Sequence, residues 1–238
     1  MRRYSSLAVV AVVALIVSAF TAPSAGSAGL NVVADWQMNE PPGSTLMVDS
    51  SGLGNHGAID QDAATAGLEL DGSDYQWSPR CRDCPPTALA RVVQVPDSPA
   101  LDIPDPTVPW SLEFRFKTYK KYGNLMQKGY FDTDGGQIKV EDPRALRCVF
   151  KGANGDYVTA HGSTPLDDGE WHTVACVKTA TSVSQWVDGV LVATQIGETG
   201  PIDNAMPFVI GGKTECDQET VGCDYYRGRI DWARITHG

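Results

Sequence analysis

Three observations predict an all-β protein. First, residues 170–195 read EWHTVACVKTATSVSQWVDGVLVATQ, three β-rich runs (171–178, 183–187 and 190–194) with almost nothing between them. Asp188-Gly189 joins the last two as a tight hairpin, because both central residues of a type I′ turn need positive φ. Second, Trp110, Leu112, Phe114 and Phe116 alternate with Ser111, Glu113, Arg115 and Lys117, which is a half-buried strand of period two. Third, about a dozen short β-rich runs are separated by turn signals and no convincing helix interrupts them, the pattern of a sandwich or barrel.

Taken in order, the chain begins with Arg2 and Arg3, an apolar run over 7–20 and the small residues Ala25-Gly26-Ser27-Ala28. Charged start, apolar middle and small-residue end predict a secretory signal peptide over 1–28, cleaved after Ala28. The apolar run is shorter than the ~20 residues of a membrane span. The expected product is therefore a secreted, extracellular protein with no membrane insertion after cleavage. Residues 29–238 suffice for one sandwich domain, and a monomer is expected.

Strand signals follow at 31–38, ended by Glu40-Pro41-Pro42-Gly43. Residues 49–57 (DSSGLGNHG) are too rich in Ser, Gly and Asn for a regular element. A short strand at 68–70 ends at Asp71-Gly72, a proline-rich loop covers 78–87, and strand resumes at 90–95. Prolines make 96–109 a long loop. Strands at 124–128 and 137–141 flank the turn 132–136, and those at 146–151 and 157–159 flank Asn154-Gly155. Residues 208–210 end at Gly211-Gly212, and 225–236 form the last strand.

Without Arg2 and Arg3, basic residues are outnumbered by 29 acidic ones, for a formal charge of about −12. That excludes nucleic-acid and anionic-membrane binding, which need a basic surface, and is compatible with cation binding. Six cysteines in an exported chain predict disulfides. Short loops suggest Cys81–Cys84 and Cys216–Cys223, and the remaining Cys148–Cys176 would be a cross-strand link. Cys81-Arg82-Asp83-Cys84 lacks the βαβ context of a redox motif, and the cysteines lack paired zinc spacing.

Several segments together resemble the laminin-G-like domains of the concanavalin A-like lectin/glucanase superfamily. They are Asp35-Trp36 with Met38-Asn39-Glu40 (the family often reads W-x-F-D-E), Asp49-Ser50-Ser51-Gly52 with Asn55-His56-Gly57, and Leu70-Asp71-Gly72. Trp171-His172, Trp186-Val187-Asp188-Gly189, Ile210-Gly211-Gly212 and Gly228-Arg229-Ile230-Asp231 continue the match. Cys216 and Cys223 before Asp224-Tyr225-Tyr226 look like versions in exported bacterial proteins. The resemblance implies a concanavalin A-like jelly-roll sandwich of two curved antiparallel sheets. It implies little about the ligand, since the fold hosts lectins, adhesion domains and glycosidases.

Glucanases on this fold carry Glu-x-Asp-x-x-Glu on one strand, and no such sequence occurs here. Glycosidases need a carboxylate pair at a set separation, and Glu141-Asp142 are adjacent, hence on opposite faces. No Gly-x-Ser-x-Gly is present, and His56, His161, His172 and His237 are scattered. A non-catalytic module recognising a carbohydrate or cell-surface ligand is the expected function. The alternatives are a structural or adhesion protein contacting other proteins, and a glycoside hydrolase with an unfamiliar constellation. Calcium is the expected cofactor, structural in role, with Asp49, Asn55, Asp71 and Asp231 as candidate ligands, because calcium takes carboxylate and amide oxygens from such loops. The same residues also serve as turn caps. Tyr122, Tyr130, Tyr157 and Trp186, near strand ends, are the candidate sugar-binding aromatics.

Overall fold

Alternating burial places strands such as 110–117, 172–178 and 182–187 between a core and an outer face. The computed structural model describes residues 31–59, 68–77, 92–132, 134–213 and 225–238. The expected signal peptide and the expected Cys81–Cys84 and Cys216–Cys223 pairs lie outside the described residues. In chain order the strands are β1 (Asn31–Trp36), β2 (Leu46–Met47), β3 (Gly57–Ile59), β4 (Leu68–Leu70), β5 (Tyr75–Trp77) and β6 (Val93–Val95). Then come β7 (Trp110–Lys117), β8 (Asn124–Lys128), β9 (Gln137–Glu141), β10 (Arg147–Lys151) and β11 (Tyr157–His161). The series closes with β12 (His172–Lys178), β13 (Ser182–Val187), β14 (Val190–Ile196), β15 (Phe208–Ile210) and β16 (Gly228–His237).

Among the described residues these strands form two eight-stranded antiparallel sheets. One runs β14-β13-β12-β7-β16-β5-β4, with β1 also paired to β16. The other runs β11-β10-β9-β8-β15-β6-β3-β2. The expected meander is the β12-β13-β14 end of the first sheet. Its hairpin has φ of 49° at Asp188 and 78° at Gly189, both positive as the turn chemistry requires.

The core lies between the sheets. Trp110, Leu112, Phe114 and Phe116 are fully buried, while Glu113, Arg115 and Lys117 are half-buried on the other side of β7. Trp36 stacks on Phe208 at 5.7 Å, and Trp110 meets Phe150 edge-on at 5.5 Å, so aromatic pairs from both sheets fill the middle. The Cys148–Cys176 disulfide is present, with both residues fully buried. It joins β10 to β12, which belong to opposite sheets. It is therefore an inter-sheet tie through the core and not the cross-strand link expected.

One departure from the sequence reading and one feature it did not address have clear causes. The loop over 49–57 ends in a strand, because Gly57 opens β3. A Cβ there would lie 2.6 Å from Val93 Cγ1, so only glycine lets β3 lie against β6. Lys128, at the end of β8, is fully buried. Its ammonium lies 2.5 Å from Asp97 and 3.1 Å from Asp102, and donates to the Asn204 and Met206 carbonyls at 2.6 and 2.9 Å. One buried cation thus clamps two loops to the end of the sandwich.

Candidate functional site

The cleft at one edge of the sandwich has about 410 Å³ of space, within the size range of small-ligand sites. Asp156, Tyr157 and Thr159, at the start of β11, make one lip. Gln195, Ile196 and Glu198, at the end of β14, make the other. The lips therefore come from different sheets. They are stitched together at one end by the Ala153 amide, which donates to the Pro201 carbonyl at 2.8 Å. Gly200 permits this approach, since a Cβ there would lie 2.2 Å from Asn154 Oδ1. The Asn154 side chain donates to Asp156 at 2.8 Å and fixes that carboxylate on its turn.

Tyr157 is 60% exposed, so its ring is available to a ligand. Phe131 meets it edge-on at 6.0 Å. Lys151 in turn lies 4.8 Å above the Phe131 ring and donates to the Phe131 carbonyl. This chain of contacts braces the aromatic corner of the cleft. One exposed aromatic beside carboxylates, an amide and a hydroxyl forms a chemistry suited to sugars: a ring face for C–H surfaces, and acceptors for hydroxyl donors.

The other candidate aromatics lie elsewhere. Tyr130 lines a separate recess of about 10 Å³ with Gln127, Met206 and Val209, room for about one water molecule. Tyr122 is exposed in the connection between β7 and β8. Trp186 pairs with Ala175 on the outer face of the first sheet.

The four candidate calcium ligands do not converge. Asp49 Oδ1 accepts the Asp35 and Ser51 amides, both at 2.9 Å. Its Oδ2 accepts the Ser51 hydroxyl at 2.7 Å and the Asn55 amide at 2.9 Å. Burial pushes the Asp49 carboxyl up, and these donors together outweigh it and hold it below the ordinary value. Asn55 spends its side-chain amide on the Val33 carbonyl at 2.7 Å. Asp71 is held down to about 2 by the Ser73 hydroxyl and amide, and pairs with Arg229 at 2.6 Å. Asp231 pairs with Arg115 at 2.5 Å. Carboxylates already filled by N–H, O–H and guanidinium donors do not fit a calcium ion, which needs their lone pairs. Among the described residues no group of three or more His, Cys, Asp or Glu side chains could hold a metal ion.

The model of the laminin-G family, in the concanavalin A-like lectin/glucanases superfamily, matches residues 91–237. The chain belongs to the concanavalin A-like lectin/glucanases superfamily. No curated protein matches it. Domain 4 of AbnA, an extracellular GH43 arabinanase from Geobacillus stearothermophilus solved with arabinotriose, has a TM-score of 0.62 at 13% identity, covering 88% of this chain and 93% of that one. The binding domain of Paraclostridial Mosquitocidal Protein 1 has a TM-score of 0.61 at 13% identity, covering 86% of this chain and 48% of that one. The botulinum neurotoxin serotype D binding domain has a TM-score of 0.57 at 12% identity, with coverages of 87% and 47%. The chain spans about half the length of each toxin binding domain. At these identities the likeness is one of fold.

In this superfamily member two carboxyls are pushed up by burial, Asp74 and Asp102. Each faces its own cation, Arg229 at 2.6 Å and Lys128 at 3.1 Å, and neither lines the cleft. His172 bridges Asp188 at 2.9 Å and Asp168 at 3.2 Å. Burial lowers its pKa, but the two carboxylates outweigh that and leave it raised. It ties the β13–β14 turn to the segment before β12. Sequence reasoning missed Asp156, Thr159, Gln195 and Glu198 as cleft residues, and Phe131 as the brace behind Tyr157. The Asn154-Gly155 turn marked one lip, but nothing local marks the other.

Proposed function

We propose that this superfamily member is a secreted, non-catalytic binding module that recognises a carbohydrate in the cleft between β11 and the end of β14. One observation carries this reading: a cleft of ligand size holds an exposed, braced Tyr157 beside Asp156, Gln195 and Glu198. A sugar would lay an apolar face on Tyr157 and donate hydroxyls to the carboxylates and amide. The fold shared with the arabinanase domain solved with arabinotriose, and with two toxin binding domains, supports a binding role.

The test is retention of the oxidised protein on a panel of polysaccharides, with Tyr157→Ala alongside. Saturable retention that Tyr157→Ala weakens by roughly tenfold supports the reading, since one stacked aromatic contributes about 1–3 kcal/mol by analogy with base stacking. Retention unchanged in Tyr157→Ala places the ligand elsewhere, and no retention by folded protein removes the glycan reading for that panel. A second reading, contact with another protein, is favoured by β14, an edge strand whose Val190, Leu191 and Ile196 are 62%, 48% and 72% exposed.

A further inference from the structure

Each lip of the cleft contributes a carboxylate, Asp156 from the second sheet and Glu198 from the segment after β14, and both residues are exposed. No Lys, Arg or His lines the cleft. The cation beside it, Lys151, is turned toward Phe131, donating to that residue's carbonyl and lying over its ring. Tyr157, whose ring face attracts cations, lines the same cleft as the two carboxylates. The chain as a whole carries a formal charge of −10, so its net field also favours cations.

From this arrangement we infer that the cleft selects its sugar by charge, taking amine-bearing sugars in preference to neutral ones and rejecting carboxylated ones. The inference rests on the glycan-binding reading and names the ligand class for the same site. An ammonium set between two carboxylates and over a tyrosine ring gains from all three. A uronate at the same place meets two like charges with no cation to answer it. Both carboxylates are solvated, so the preference is moderate and sensitive to salt.

The test compares a soluble glucosamine oligomer with its N-acetylated counterpart of equal length and with a galacturonate oligomer. Titrations are made on the full protein below neutral pH, where the amine is charged. The expected result is about tenfold tighter binding of the glucosamine oligomer than of the N-acetylated one at low salt. The gap should narrow at high salt, with no binding of the galacturonate oligomer. Because the whole chain is acidic, the Asp156→Asn/Glu198→Gln variant assigns the effect. It removes only two of many negative charges, yet the ratio between the two oligomers should fall toward one. Equal affinities, tighter binding of the N-acetylated or galacturonate oligomer, or a preference that survives in the variant would overturn the inference. Retention of some other neutral glycan without the glucosamine oligomer overturns it too, and leaves the binding reading standing. Failure of every glycan removes both.

Discussion

Asp49→Asn is the substitution that best separates two explanations of one loop. The wild-type carboxylate accepts four hydrogen bonds, from the Asp35, Ser51 and Asn55 amides and the Ser51 hydroxyl, at 2.7–2.9 Å. Asparagine offers one acceptor oxygen and turns an NH₂ toward the donors on the other side. Two bonds survive at neutral strength, the Ser51 hydroxyl must turn to accept from the new NH₂, and the Asn55 amide is left facing a donor, so two bonds to a charged acceptor are lost. Bonds to a charged acceptor are worth roughly 1.5–3 kcal/mol and neutral ones about 1 kcal/mol. Allowing for relaxation and water, the cost is about 3 kcal/mol, a large part of a total stability of roughly 5–15 kcal/mol. Urea unfolding of wild type and variant at neutral pH, with calcium and with chelator, measures it. The same loss is expected in both buffers, because the donors are protein groups. The carboxyl lies below its ordinary value, so its contribution is full above the ordinary carboxylate range and disappears as pH falls through the folded value. The gap between the two proteins should therefore close in acid. A loss below about 1 kcal/mol, too small for two charged bonds, would refute the reasoning. So would a loss that appears only with calcium.

Three further outcomes follow from the described contacts. Lys128→Met leaves Asp102 buried without its cation and two carbonyls without a donor, and should cost about 3–5 kcal/mol in chemical denaturation. Replacing Cys148 and Cys176 together by alanine opens a loop of 28 residues and should cost roughly 3–4 kcal/mol on the chain-entropy account, read as a lower unfolding midpoint under oxidising conditions. His172 has a raised pKa, so its contribution is full below the ordinary imidazole value and is lost as pH rises through the folded one. Melting temperatures of wild type and His172→Gln should converge on going from about pH 6 to about pH 8.5.

Residues 110–117 announced their own strand because alternation is a local signal, and the face each residue occupies follows from it. Asp188-Gly189 was equally legible, since few residue pairs accept two positive φ values. The strands β3 and β5 were not, because nothing in their own residues marks them and their pairing depends on neighbours: β3 exists where Gly57 lets it rest on β6. The calcium expectation shows a different limit. An Asp- and Asn-rich loop has the same composition whether its oxygens face a cation or its own backbone amides, and Asp49 does the latter. Tyr157 could be picked out as an aromatic near a strand end. Asp156 and Glu198 could not be paired, because they flank strands of different sheets and line one cleft only when the sandwich is assembled.

The position of β16 carries a consequence for how the molecule is made. Gly228–His237 lies inside the first sheet, with β7 on one side and both β1 and β5 on the other. Until that strand is in place, β7 and β5 each have one open edge and β1 has no partner, and the first and last described strands must find each other over about 200 residues. Contacts of such sequence separation form slowly, on the millisecond-to-second scale. Chains that lack β16 are therefore expected to display open strand edges, to be held by chaperones and to be degraded readily.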